Sequence, residues 1–226
     1  MIYFLTGRPG GGKSLTMAEK IYKALKSGKN VIANFEINED YFKKCRHPEK
    51  LGKFLYVPNE WWLNNGFTNI DPRLDRYSYI DGLYGFAKNF HKTNEKGQIK
   101  EGQTLLVLDE CQELFNSRSW NRKDRLTWCQ FFRIHRHYGY TCYLISQDDK
   151  NIDKQIRGIL QKEIECRSVS NMKLFGKILS ILCGGSLFVR IYRDYTFGKK
   201  KDAKEGSQFY LGRRYYNFYD SYKTFD

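Results

Sequence analysis

The sequence lacks the patterns that mark metal-stapled or disulfide-stapled chains. Its six cysteines, at positions 45, 111, 129, 142, 166 and 183, contain no Cys-x-x-Cys pair, and no histidines stand near them at zinc-ligand spacing. This argues against a metal cage. Several of these cysteines lie inside apolar runs, where cysteine acts as a small buried hydrophobe, and the usage fits a reducing cytosol. Long apolar stretches are missing too. The longest, Ile178 to Cys183, is far short of the roughly 20 residues that span a bilayer, so the chain as given is not expected to cross a membrane. A glycine-rich motif begins at residue 7, which leaves no room for a signal peptide ahead of it. Acidic residues are in short supply: 25 Asp and Glu face 39 Lys and Arg, giving a net charge of +14. Such a surface favours polyanions, whether nucleic acid, nucleotide phosphates or an anionic membrane face. What remains is ordinary for a folded domain, with 41% hydrophobic residues in a chain of 226, enough for one α/β domain with a small appendage. Aromatics, at 16%, are abundant.

The stretch Gly7-Arg-Pro-Gly-Gly-Gly-Lys-Ser14 has a glycine, four free positions and then Gly-Lys-Ser, the pattern of a phosphate-binding loop. An apolar run, Ile2 to Leu5, precedes it, and Leu15, Ala18, Ile21, Tyr22 and Leu25 follow at helical spacing until Gly28. The pattern has a mechanism. Gly10, Gly11 and Gly12 let the backbone wrap an anion and turn N–H groups inward. Lys13 can reach the β- and γ-phosphates, Ser14 can offer its hydroxyl to Mg²⁺, and the helix N-terminus adds its positive end. Gly7, Pro9 and Leu15 complete the candidate nucleotide-binding set. The bland alternative is a glycine-rich turn between a strand and a helix.

Asn30 to Phe35 reads as a second strand, with Asn34 at its polar end. From 36 to 102 the pattern weakens into an insertion without repeat or low complexity, holding a candidate helix around Glu39 to Lys44 and an aromatic pair, Trp61-Trp62. At Thr104 the signal returns. Leu105-Leu-Val-Leu108 is a continuous apolar run, as in a central parallel strand, and it ends in Asp109-Glu110. Asp109 is a candidate Mg²⁺ ligand and Glu110 a candidate base for an attacking water; an acidic helix cap would look the same. Thr141 to Ser146 is another β-rich run, with Gln147 placed to sense a γ-phosphate or orient water. Between these runs, Arg118, Arg122, Arg125, Arg133 and Arg136 interleave with Trp and Phe. Each is either a phosphate contact or part of a solvated basic face. His135 and His137 point to different helix faces, which disfavours a metal site. Asp148 to Leu160 looks helical and carries Arg157; Glu163 to Val169 reads as a fifth core strand. Ser186 to Phe197 reads as a strand of a β-rich appendage, Lys199 to Lys201 as a basic loop, and aromatic Tyr210 to Tyr222 as a segment packing back across the domain. The division expected is a core over 1–170 and an appendage over 171–226.

Taken together, these residues resemble the zonula occludens toxin family, which includes the gene I assembly ATPases of filamentous phages. The resemblance rests on the opening Ile2-Tyr-Phe-Leu-Thr-Gly-Arg-Pro-Gly-Gly-Gly-Lys-Ser14, on Leu108-Asp-Glu-Cys-Gln-Glu-Leu-Phe115 with Arg118 behind it, and on Arg133-Ile-His-Arg-His-Tyr-Gly139 leading to Leu144-Ile-Ser-Gln147 and Ile152-Asp-Lys-Gln-Ile-Arg157. It also rests on the closing Tyr215-Tyr-Asn-Phe-Tyr-Asp-Ser221. It implies a P-loop NTPase of the additional-strand type, with a mostly parallel sheet flanked by helices, and an ATP- and Mg²⁺-dependent motor for virion assembly and extrusion. It further implies a location at the cytoplasmic face of the host inner membrane, a membrane anchor following this domain, and a homo-oligomeric ring. The partners implied are other phage assembly proteins and phage single-stranded DNA. In such rings an arginine from the neighbouring subunit completes the site, and Arg118, Arg136 and Arg157 are the candidates. A nucleotide-switched scaffold with little turnover and a P-loop nucleotide kinase are the alternatives.

Overall fold

The apolar runs become the strands of one sheet. The computed structural model describes residues 1–43, 45–65, 82–118, 124–172, 174–195 and 204–219. Five strands run parallel in its middle: β1 (Ile2–Thr6), β2 (Asn30–Ala33), β4 (Thr104–Leu108), β5 (Tyr140–Ile145) and β6 (Lys162–Ser168), with short β3 (Phe54–Tyr56) at one edge. Beyond β6, the strands β7 (Leu187–Asp194) and β8 (Lys204–Leu211) continue antiparallel, giving the order β3-β2-β4-β5-β1-β6-β7-β8. β5 therefore lies between β1, which leads into the glycine loop, and β4, which ends in the acidic pair.

Side-chain alternation sends each central strand into two cores. Ile2, Phe4, Leu106, Leu108, Cys142 and Leu144 face one side, where Trp62, Phe86, Trp128, Phe131 and Phe132 cover them. Those aromatics come from α2 (Asn59–Asn65), α3 (Gly82–Phe90) and α4 (Arg125–Ile134). Leu5, Val31, Leu105, Val107 and Ile145 face the other side, against Met17, Ala18 and Ile21 of α1 (Lys13–Lys26) and against Tyr215, Phe218 and Tyr219 of the C-terminal segment. Gly28, at φ +79°, ends α1 by turning the chain into β2.

Two expectations are corrected. The helix read over Asp148 to Leu160 is instead a 3₁₀ turn, Asp149–Asn151, followed by the single turn α5 (Lys154–Arg157). Asp148 and Asp153 each cap with their carboxylates, accepting from the backbone N–H of Lys150 and Gln155, so the segment is cut into two capped pieces. The helix around Glu39 to Lys44 shrinks to a 3₁₀ turn, Glu39–Phe42, capped by Asn38. The β-rich C-terminal part is present as the antiparallel pair β7 and β8, which continues the central sheet at its β6 edge. α6 (Leu174–Leu182) packs against the 3₁₀ turn Val169–Asn171 that follows β6. Among the described residues no helix is long and apolar enough to cross a membrane. Arg122 and the Lys199 to Lys201 run lie outside the described residues.

Candidate nucleotide-binding site

The loop leaving β1 is shaped by what its glycines omit. Gly7 has φ +148°, and a Cβ there would lie 2.3 Å from the Cys166 carbonyl oxygen on β6. Gly12 has φ +90°, and its Cβ would meet Phe188 at 2.7 Å and the Tyr210 hydroxyl at 2.8 Å. Backbone can pass at both points only without a side chain. Pro9 and Gly10 form an exposed turn, closed by the Gly11 N–H donating to the Arg8 carbonyl at 2.9 Å. Lys13 opens α1 and folds its ammonium back over the loop, donating to the Gly7 carbonyl at 3.0 Å. Ser14 is half-buried beside it, while Leu15 packs against the second core. A cavity of about 530 Å³ opens beside the loop, lined by Gly7, Arg8, Cys166, Ser168, Asn171 and Met172 among others.

The start of α1 is clamped by residues that the sequence reading did not single out. Tyr210 of β8 donates its hydroxyl to the Gly12 carbonyl at 2.9 Å and meets the Thr16 hydroxyl at 2.8 Å. Arg190 of β7, 3% exposed, lies 3.6 Å over the Tyr210 ring, donates to Thr16 and pairs with Glu19. Their only sequence signal was membership of a stretch rich in Arg and Tyr.

Across β5, the acidic pair sits at the end of β4. Asp109 is buried, and a pair of backbone-like bonds from Asn34 fixes it. Asn34 Oδ1 accepts from the Asp109 N–H at 2.7 Å, and Asn34 Nδ2 donates to the Asp109 carbonyl at 2.8 Å. Asn34 also donates to Asn59, which donates to Glu113. Burial pushes the Asp109 carboxyl above its ordinary range. The Tyr219 hydroxyl and the Glu110 N–H, both donating to it, oppose that rise, the charge of Glu110 adds to it, and nearby Lys13 opposes it. A cation held against its oxygens would offset that desolvation. Glu110 has φ 43°, left-handed backbone for a residue with a Cβ, and Gln112 donates to its Oε2 at 2.5 Å. Gln147 follows β5, with its carbonyl accepting from Thr6 at 3.0 Å and its side chain exposed.

The structure therefore brings Gly7 to Ser14, Asp109, Glu110 and Gln147 to the same end of the sheet, because each follows the carboxyl end of β1, β4 or β5. The arginines are spread more widely. Arg118 is exposed on the loop after β4, at that same end. Arg136 lies at the opposite end, paired with Glu101 ahead of β4 and near the Met1 ammonium. It does not join this chain's own site. Arg157 ends α5 half-buried, and Arg125 pairs with Asp153. His135 is buried, donating from Nδ1 to the Phe132 carbonyl and accepting the Met1 ammonium on Nε2.

A phosphate loop and an acidic strand end separated by one intervening strand make this a P-loop NTPase fold of the additional-strand type. The sequence profile of the family described as Zonular occludens toxin (Zot) matches residues 1–213, and the chain belongs to that family. It is 27% identical over 234 residues to the Gene 1 protein of Enterobacteria phage M13, covering 99% of this chain and 60% of that protein. It is 28% identical over 230 residues to the Gene 1 protein of Escherichia phage If1, covering 99% and 59%. The chain thus spans about three-fifths of the length of these relatives. The crystal structure of the N-terminal domain of zonular occludens toxin from Neisseria meningitidis is similar over 97% of this chain and 98% of that one, with a TM-score of 0.56 at 16% identity.

Proposed function

We propose that this domain hydrolyses ATP and that turnover drives filamentous phage assembly and extrusion at the host inner membrane. The observation that carries the reading is the convergence of the glycine loop with Asp109 and Glu110 across β5. The loop amides and Lys13 would hold the β- and γ-phosphates, releasing the Lys13 ammonium from the Gly7 carbonyl that it caps here. The cavity beside Gly7 and Met172 is of the size that takes a base and sugar. Ser14 and Asp109 are the residues that would hold Mg²⁺, which would neutralise charge on the transferred phosphoryl group. Glu110 takes the proton of the attacking water, and Gln147 senses the γ-phosphate. The membership in the Zot family and the likeness to phage Gene 1 proteins support the assembly role. In this reading the domain works as a membrane-linked homo-oligomer with other phage proteins. The basic charge of +14 suits single-stranded DNA as its polyanion.

Phosphate release from ATP, measured without any acceptor, tests the reading and separates it from a kinase. Lys13→Ala is expected to lower turnover by at least about a hundredfold; unchanged turnover would overturn the site. Glu110→Gln should keep ATP binding while hydrolysis collapses, and equal loss of both would remove Glu110 as the base.

A further inference from the structure

Tyr219 meets Asp109, one of the side chains that the proposed site needs for its cation. Its hydroxyl donates to Asp109 Oδ2, and Ser14 lies near enough to influence the phenol electrostatically. The other Asp109 oxygen accepts the Glu110 N–H at 2.8 Å. The phenol ring is stacked on Phe35 with centroids 4.0 Å apart, and Tyr219 is 7% exposed. The segment carrying it is held from behind. Phe218 is fully buried, its carbonyl accepts from the Asn38 N–H at 2.9 Å, and Tyr41 donates to the Arg214 carbonyl at 3.2 Å.

A divalent cation needs lone pairs from its ligands, and Mg²⁺ accepts only near-ideal octahedral spacing. A phenol that donates its proton to Asp109 Oδ2 takes up a lone pair that the cation would need. Resting on the nucleotide-site reading above, we infer that Tyr219 is a built-in stopper of the cation position. It occupies Asp109 Oδ2 and yields when nucleotide and cation enter. Because Tyr219 follows directly on the Phe218 anchor, its displacement passes to the segment 212–219 and to the Glu39–Phe42 turn that holds it. Site occupancy is thereby reported to the part of the chain that lies over α1. The start of α1 is held from the other side by Tyr210 on Gly12 and by Arg190 on Thr16.

Tyr219→Phe tests this, since it keeps the ring on Phe35 and removes only the hydroxyl. A fluorescent ATP analogue is titrated onto the full chain in EDTA, and Mg²⁺ is then titrated in. The variant should bind the analogue equally well in EDTA and reach half-saturation at about tenfold lower Mg²⁺, the size of one hydrogen bond to a carboxylate. An unchanged or higher Mg²⁺ midpoint would overturn the stopper and make Tyr219 a support for Asp109. Hydrogen exchange on the unmodified chain gives a second readout. Amides of 212–219 should exchange faster with analogue plus Mg²⁺ than with analogue in EDTA, and equal protection would overturn the proposal. Lys13→Ala separates the two layers of inference. If it binds the analogue as tightly as the unmodified chain does, the nucleotide site fails and the stopper falls with it. If Lys13→Ala loses binding while Tyr219→Phe leaves the Mg²⁺ midpoint unmoved, only the stopper falls.

Discussion

Glu110, the proposed base, also carries the backbone strain of the site. Its φ of 43° places a β-carbon in left-handed backbone, a conformation that costs roughly 1–2 kcal/mol for a residue with a side chain. The end of β4 enforces it. The Cys111 N–H must reach the Ile145 carbonyl at 2.9 Å, and the Glu110 N–H must reach Asp109 Oδ1 at 2.8 Å. The strain turns the carboxylate out of the strand direction towards Gln112. Two substitutions separate the backbone from the side chain. Glu110→Gly and Glu110→Ala should both lose hydrolysis, but the glycine variant should be the more stable by about 1 kcal/mol in chemical denaturation. Equal stabilities would mean that this backbone carries no strain. Gly12 presents the opposite case. At φ +90°, with Tyr210 and Phe188 inside contact distance of a would-be Cβ, Gly12→Ala should destabilise the chain by about 2 kcal/mol.

The elements show why sequence reading succeeded in places and failed in others. β1, β4 and β5 were legible because strands buried on both faces are written as unbroken apolar runs. β8 was not, since Lys204–Leu211 is an edge strand with mostly exposed side chains and no apolar alternation. β3 offers only three residues, and Trp62 of α2 reaches the core from a segment without helical periodicity. Tyr219 was legible as an aromatic packing residue, but its hydroxyl meets Asp109 across 110 positions of sequence, a pairing that no local pattern encodes. Arg190 belongs to the same class. Buried and paired with Glu19, it fastens β7 to α1. Arg190→Met should cost about 3 kcal/mol, because the Glu19 carboxylate loses its buried partner while keeping only the exposed Lys23. α4 adds a pH-dependent fastening. Burial, aided by the Met1 ammonium, lowers the His135 pKa from 6.5 to about 4. The fold thus holds the neutral ring, its stability is fully present above the ordinary histidine pKa, and it declines as pH falls from 6.5 towards 4. Linkage puts the loss at about 3 kcal/mol across that window. Denaturation midpoints at pH 7 and pH 4.5 measure it, and His135→Gln should flatten the difference.

At the scale of the whole molecule, the question is whether residues 171–226 form an accessory or part of the enzyme fold. Division at residue 170 falls after the fifth core strand, yet the pairings run straight across it. β6 pairs with β1 on one side and with β7 on the other, from Lys162 opposite Asp194 to Ser168 opposite Phe188. The glycine loop leans on Phe188 and Tyr210, and the second core is closed by Tyr215, Phe218 and Tyr219. Without β7, β8 and the segment beyond, β6 would become an edge with unpaired backbone, α1 would lose Arg190 and Tyr210, and the apolar face over Val31 and Val107 would open to water. These losses fall on the same side of the sheet and couple through α1. A chain ended at residue 185 should therefore keep every residue of the phosphate loop and of the Asp109-Glu110 pair and still fail to fold. It should show no cooperative thermal transition by circular dichroism and no binding of an ATP analogue, whereas the full chain unfolds in one step. A truncated chain that melts cooperatively and binds the analogue would show that the core stands alone and that the C-terminal strands are ornaments upon it.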